Sequence, residues 1–141
     1  MRARVLALCL LLCCGCERKA EAGGLVSEAE FGVFFGGQIQ ELKEIPKQLD
    51  PARQRHGFRL RFAKPLAADI AVGWEVSLPV PEKGGPRPAL VGQATAKAGD
   101  TVLDVPLAFR PSDPLGAWHA KVTADGVTVI DRDFTVTAPP R

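Results

Sequence analysis

From Leu25 onward apolar residues recur at every second position, and Pro or Gly breaks the alternation at short intervals. A period of two sends successive side chains to opposite faces of an extended chain, so it predicts strands buried on one face. The clearest run is Ile70, Val72, Trp74, Val76 and Leu78, interleaved with Ala71, Gly73, Glu75 and Ser77. Phe58, Leu60 and Phe62 alternate with Arg59 and Arg61, and Leu103, Val105, Leu107 and Phe109 alternate with Asp104, Pro106 and Ala108. Pro106 cannot donate to a ladder, which places its strand at a sheet edge. Residues 87–97 predict a weaker strand and residues 31–42 another, with Gly36-Gly37 as a bulge or bend. Within that last segment Ile39, Leu42 and Ile45 also fit a helical turn before Pro46.

Toward the C-terminus Trp118, Ala120, Val122 and Ala124 lead into Asp125-Gly126, after which Ile130, Phe134 and Val136 share one parity. Asp-Gly between two alternating runs predicts a two-residue hairpin, because a type I′ turn needs positive φ at both central positions. The connections Pro79–Pro88 (PVPEKGGPRP) and Pro111–Pro114 (PSDP) are stiff and poor in donors, so they belong on the surface. Residues 79–88 form the longest candidate binding loop and also fit a plain hairpin connection. About seven short strands over residues 25–141, with no helix for a crossover, predict an all-β, single antiparallel sandwich. A domain of this size buries roughly two-thirds of its unfolded surface and stands without disulfides.

Ahead of this body lies a different kind of segment. Met1-Arg2-Ala3-Arg4 is a basic start, and Val5 to Cys14 is a short apolar run, the layout of a secretory signal and too short to span a bilayer. The sequence Leu12-Cys13-Cys14-Gly15-Cys16 resembles the lipobox of bacterial lipoproteins, in which a small residue precedes a cysteine that is acylated and becomes the new N-terminus. Gly15 and Cys16 match the last two lipobox positions; the usual Leu is displaced by one, to Leu12. The resemblance implies a signal peptide over residues 1–15, lipidation of Cys16, and a tether over residues 16–24 before the domain at 25–141. Ala20-Glu21-Ala22 also fits an ordinary cleavage site, and cleavage there would leave a soluble protein. With Glu17 rather than Asp after the cysteine, the likeness to lipoproteins implies the outer membrane where the organism has two. Residues 17–24 (ERKAEAGG) have a root-mean-square reach on the order of 15 Å, which keeps the domain near the lipid.

Charge and cysteine content acquire meaning from that boundary. The chain has 18 Lys and Arg against 16 Asp and Glu; Arg2 and Arg4 leave with the signal, so the mature chain is balanced. No basic surplus argues for nucleic acid or for anionic headgroups as a partner. All four cysteines (Cys9, Cys13, Cys14 and Cys16) lie in the first sixteen residues, so the body has neither a disulfide nor a cysteine metal site.

The body resembles the immunoglobulin-like domains of bacterial secreted proteins over residues 56–137. Trp74 lies on the third or fourth strand, Leu115-Gly116-Ala117-Trp118 opens the penultimate strand with a Gly-x-aromatic step, and Phe134-Thr135-Val136 closes the last. There is no Tyr, so the tyrosine corner of many such sandwiches is missing.

The residues offer little chemistry. His56 and His119 are the only histidines, sixty-three positions apart, and read as surface or capping groups. With no Met beyond the initiator, a blue-copper site is excluded. None of Ser27, Ser77 and Ser112 lies in a Gly-x-Ser-x-Gly elbow. Asp125, Asp131 and Asp133 cluster near the final hairpin but have Arg132 among them and lack calcium-loop spacing, so they read as solvated charges. Gly84-Gly85 fits no phosphate-binding fingerprint and reads as a turn. The adjacent pair Phe34-Phe35 reads as core, since sandwich corners bury both parities.

These features predict a lipid-anchored, non-catalytic binding or structural module of the cell envelope, acting through loops or an edge strand on an envelope protein or glycan. The alternative is a soluble periplasmic or secreted sandwich acting as an inhibitor or chaperone-like partner by strand addition. Neither a cofactor nor a metal is expected, and no enzyme activity.

Overall fold

A computed structural model describes residues 24–48, 50, 52 and 55–141. The segment expected to be a signal peptide, Cys16 and the expected tether as far as residue 23 lie outside the described residues. The rest is all-β. Nine strands run in order: β1 Val26–Phe35, β2 Gln38–Gln40, β3 Glu44–Pro46, β4 Arg55–Phe62, β5 Ile70–Ser77, β6 Ala89–Ala96, β7 Val102–Pro106, β8 Gly116–Ala124 and β9 Val127–Thr137. They form two layers, a four-stranded sheet β2-β1-β4-β7 and a five-stranded sheet β3-β9-β8-β5-β6.

The longer alternating runs became strands, except that the run from Leu103 to Phe109 is a strand only to Pro106, where the edge strand β7 ends and Leu107 and Phe109 pass into the following loop. Two of the nine strands, β2 and β3, are three residues long, too short for alternation to register. Residues 31–42 therefore hold not one strand but the end of β1, a hairpin and β2. Gly36 (φ 57°) and Gly37 (φ 79°) make the two-residue turn, so they are neither bulge nor bend. Asp125 (φ 50°) and Gly126 (φ 78°) make the second such turn, as their sequence predicts. Ile45 is buried in β3, not in a helical turn.

One pairing is parallel. After β2 the chain crosses to the other layer and meets the edge of β9 in the direction it is already travelling, pairing Glu44 with Thr135, Ile45 with Val136 and Pro46 with Thr137. The remaining ladders are antiparallel.

Inward residues of both sheets build one core that runs from Val26 to Val136, so it is closed within the domain. Aromatic rings thread it: Phe31 lies 5.1 Å from Phe134, Phe134 6.0 Å from Trp118, and Trp118 5.5 Å from Phe109 in an edge contact. The missing tyrosine corner has a substitute. Trp118, near the start of β8, donates its indole N–H to the Pro114 carbonyl four residues upstream at 2.9 Å. This ties the preceding loop to the strand as a tyrosine hydroxyl otherwise does.

The two ends of the sandwich differ. The chain enters at the end that also carries the 63–69 and 97–101 connections and the Asp125-Gly126 turn, where Ala63 N–H donates to Leu25 and Phe62 N–H to Thr101. The Gly36-Gly37 hairpin, the proline-rich 79–88 loop and the 107–115 loop lie at the opposite end, about 33 Å away along β1.

Candidate functional site

The two histidines lie on different sheets and face different media. His56 sits on β4 at the same parity as Phe58, Leu60 and Phe62, and is only 6% exposed. Its ring stacks on Phe109 at 4.0 Å and 13° and meets Phe31 edge-on at 6.5 Å. Burial pushes its pKa down to about 4, with the Asp113 carboxylate pulling weakly the other way. His56 is thus a neutral core residue, which corrects the surface or capping reading. The signal was present in the alternation, which starts at His56 rather than at Phe58.

Beside it lies a polar corner in which the charged groups are turned on one another. Lys47 is buried and donates its ammonium to the carbonyls of Pro111 at 2.8 Å and Asp113 at 2.6 Å. The Asp113 carboxylate, also buried, accepts the Arg110 backbone N–H at 2.7 Å and its Nε at 3.3 Å. With the Trp118 bond, these contacts fix the 110–114 loop.

His119 lies on the outer face of the five-stranded sheet, between two carboxylates of β9. Cross-strand register places it opposite Asp133 and places Asp131 opposite Lys121. Its Nδ1 is 2.6 Å from Asp133 Oδ1 and its Nε2 is 2.5 Å from Asp131 Oδ1. A ring bonded to carboxylates through both nitrogens needs both as N–H donors, which is the imidazolium. Its pKa is accordingly raised, chiefly by the Asp133 hydrogen bond and also by Asp131, against some desolvation. Ser77 lies opposite His119 on β5, completing a Ser, His and Asp grouping by register alone. An imidazolium held at both nitrogens has no lone pair to take a serine proton, so this grouping is not a nucleophile and base. The ring nitrogens also point to separate oxygens, and no metal-binding group of three His, Cys, Asp or Glu occurs among the described residues.

Between Asp131 and Asp133 the chain alternation turns Arg132 to the other face. Its guanidinium donates to the Phe31 carbonyl at 3.1 Å and the Leu42 carbonyl at 3.2 Å, with Glu41 at 3.7 Å. Arg132 thereby bridges the two layers at an open cleft of about 300 Å³ lined by Ala29, Phe31, Glu41 and residues 128–132. Neither histidine reaches this cleft. Asp125 remains apart in its turn. Ser27 donates its hydroxyl to the Arg61 carbonyl at 3.2 Å, on the other sheet from Ser77.

The Phe34-Phe35 pair is not core at both parities. Phe35 is 72% exposed at the tip of the β1–β2 hairpin. Phe34 lies on the outer face of its sheet, with the Arg59 guanidinium 5.9 Å above its ring. Arg59 in turn forks onto Asp104 at 2.6 and 2.9 Å and donates to the Gly37 carbonyl at 3.0 Å, clamping the hairpin turn down on the sheet. The 79–88 loop is the connection between β5 and β6, with Gly84 (φ 76°) and Gly85 (φ 100°) in its turn.

No protein-family model matches the sequence, and no curated protein does. The structure is similar to that of an immunoglobulin-like protein from Pseudomonas aeruginosa, with a TM-score of 0.56 at 21% identity over 80% of this chain and 94% of that one. An alkylpurine DNA glycosylase of Pseudomonas fluorescens, bound to DNA containing an abasic site analog, aligns with a TM-score of 0.41 at 16% identity over 79% of this chain and 31% of its own. The first likeness shows an immunoglobulin-like fold; the second is too slight to bear on fold or function.

Proposed function

We propose that this chain is a lipid-anchored lipoprotein of the cell envelope whose immunoglobulin-like domain is a non-catalytic binding or structural module. The reading divides the chain into a signal peptide at 1–15, an acylated Cys16 with its tether to residue 24, and the domain at 25–141. The observation that carries the non-catalytic part is the state of the histidines. His56 is neutral and sealed in the core, and both ring nitrogens of His119 are held by Asp131 and Asp133, so neither offers a free lone pair as a base. The anchor rests on Gly15-Cys16 after a short apolar run. Two or more acyl chains on one cysteine give effectively stable attachment.

The entry of the chain at one end of the sandwich supports this arrangement. A short tether there turns the Asp125-Gly126 end toward the lipid and presents the proline-rich loop and the exposed Phe35 to the surroundings, where an envelope protein or glycan is met. Outer-membrane residence follows if the organism has two membranes. Ala20-Glu21-Ala22 supports the second reading, a soluble sandwich that acts by strand addition.

Metabolic labelling with an alkyne fatty acid separates the two. The anchored reading expects label in the envelope fraction, lost on Cys16→Ser. An unlabelled mature protein beginning at Gly23 refutes it and establishes the soluble form.

A further inference from the structure

The ends of the two sheets are unequally protected. A free edge strand offers a row of unpaired N–H and C=O groups, and proteins guard such edges with short strands, charges or proline. Among the described residues, β2 and β3 are three residues long, β3 ends in Pro46, and β7 carries Asp104 and Pro106. The fourth, β6, has eight residues (ALVGQATA) with no charge and no proline, and Val91 on it is 75% exposed, the most exposed large apolar side chain described.

The direction of its backbone groups follows from one hydrogen bond. Leu78 N–H donates to Pro88 O at 2.8 Å, which makes this a bonded pair of the β5–β6 ladder. Pro88 has no N–H to return, and Arg87 Nε supplies the missing donor to Leu78 O at 2.5 Å. Bonded pairs alternate along an antiparallel ladder, so Leu90, Gly92, Ala94 and Ala96 also bond to β5. The N–H and C=O groups of Ala89, Val91, Gln93 and Thr95 therefore point away from the sheet.

These four residues are symmetric about Gly92. We infer that β6 is a self-association edge, on which a second copy of this chain pairs antiparallel about a two-fold axis at Gly92. In that register Ala89 meets Thr95 and Val91 meets Gln93 of the second copy, each pair in both directions, and every outward backbone group finds a partner. At a two-fold axis a residue lies near its own copy, so a charged edge repels itself; β6 has no charge to do so. Just beyond the strand Arg87 approaches the second copy's Lys97, but Arg87 is folded back onto Leu78 and Ala117, and Lys97 onto Asp69. The partly exposed Trp74 indole lies over Gly92 at the edge and is covered by the pairing, as is Val91.

The contact is small. A strand of this length extends about 27 Å and buries less than the roughly 800 Å² per partner of a standard stable complex. The dimer is therefore weak in dilute solution and favoured where copies are concentrated on a surface. This deepens the contact-module reading and rests on it.

The closed core of residues 24–141 allows the domain to be tested alone. Sedimentation velocity from about 10 µM to 1 mM, which spans weak association of about −4 to −7 kcal/mol, is expected to show a monomer converting to a dimer, with a concentration-dependent shift in tryptophan emission. The emission reports Trp74, because Trp118 is already sealed at 1% exposure. Val91→Lys and Gln93→Pro each should weaken the dimer at least about tenfold. Gln93→Pro removes an N–H that points out of the sheet, and an unchanged far-ultraviolet spectrum verifies the fold of each variant. A monomer at every concentration overturns the inference, whether or not a peptide of another protein pairs there. So does a dimer that survives either substitution. In the full wild-type chain, self-association without fatty-acid label refutes the anchor and label without self-association refutes the pairing, while Val91→Lys is expected to keep the label and lose the self-association.

Discussion

The sealed position of His56 makes a quantitative prediction about acid stability. In the unfolded chain its imidazole titrates at an ordinary 6.5, whereas in the fold burial against Phe109 and Phe31 holds it neutral until about pH 4. Between these values the unfolded state binds more protons, so stability falls as the pH falls. The loss begins near pH 6.5 and is complete below about pH 4. Each tenfold change in proton affinity is worth about 1.36 kcal/mol, so the loss reaches about 3 kcal/mol. By pH 4.5 roughly 2 to 3 kcal/mol is gone, a large share of the roughly 5–15 kcal/mol that holds a typical domain. His56→Phe keeps an aromatic ring on Phe109 and removes the proton. Urea denaturation of both proteins at intervals from pH 7.5 to 4.5 checks the reasoning. The wild type should lose stability across that window, and the variant should lose much less. Parallel curves, or a His56 resonance titrating near pH 6.5 in the folded protein, would refute it.

Further substitutions probe the other polar contacts. His119 has the opposite linkage: its raised pKa contributes stability that is fully present below pH 6.5 and lost as the pH rises through the folded value. The stability gap between wild type and His119→Gln should therefore narrow from pH 6 to pH 9 in thermal melts. Arg59→Lys removes the fork onto Asp104 and the bond to Gly37 O, at a cost of about 1–3 kcal/mol, and speeds amide exchange at the hairpin turn. A Cβ at Gly92 would lie 2.3 Å from two indole carbons of Trp74. Gly92→Ala should thus displace the ring, shift its emission, and cost about 1–3 kcal/mol in denaturant melts.

Local pattern carried the long strands, because β4, β5, β7, β8 and β9 each contain enough alternating residues to define a buried face. It could not carry β2 and β3, whose three residues hold a single inward position apiece. Nor could it show the layer change at residues 41–43, which depends on where β9 leaves its edge open. His56 was hidden because a polar residue stood at an apolar parity. The Asp131–His119–Asp133 bridge and the Arg59 clamp on Asp104 and Gly37 were illegible for another reason: each joins strands brought together only by register. The absence of Tyr concealed that Trp118 fills the corner. Cys16 was read from sequence alone, and its test remains chemical.

The parallel pairing of β3 with β9 also governs when the domain can form. Glu44 and Thr135 are about ninety residues apart, and the closure joins an early strand to the last one. While the C-terminal residues are still in the ribosome, β3 has no strand to pair with. Topology of this kind folds slowly and late. The five-stranded sheet therefore keeps one edge open until its last strand is made, and β9 supplies the piece that completes the fold.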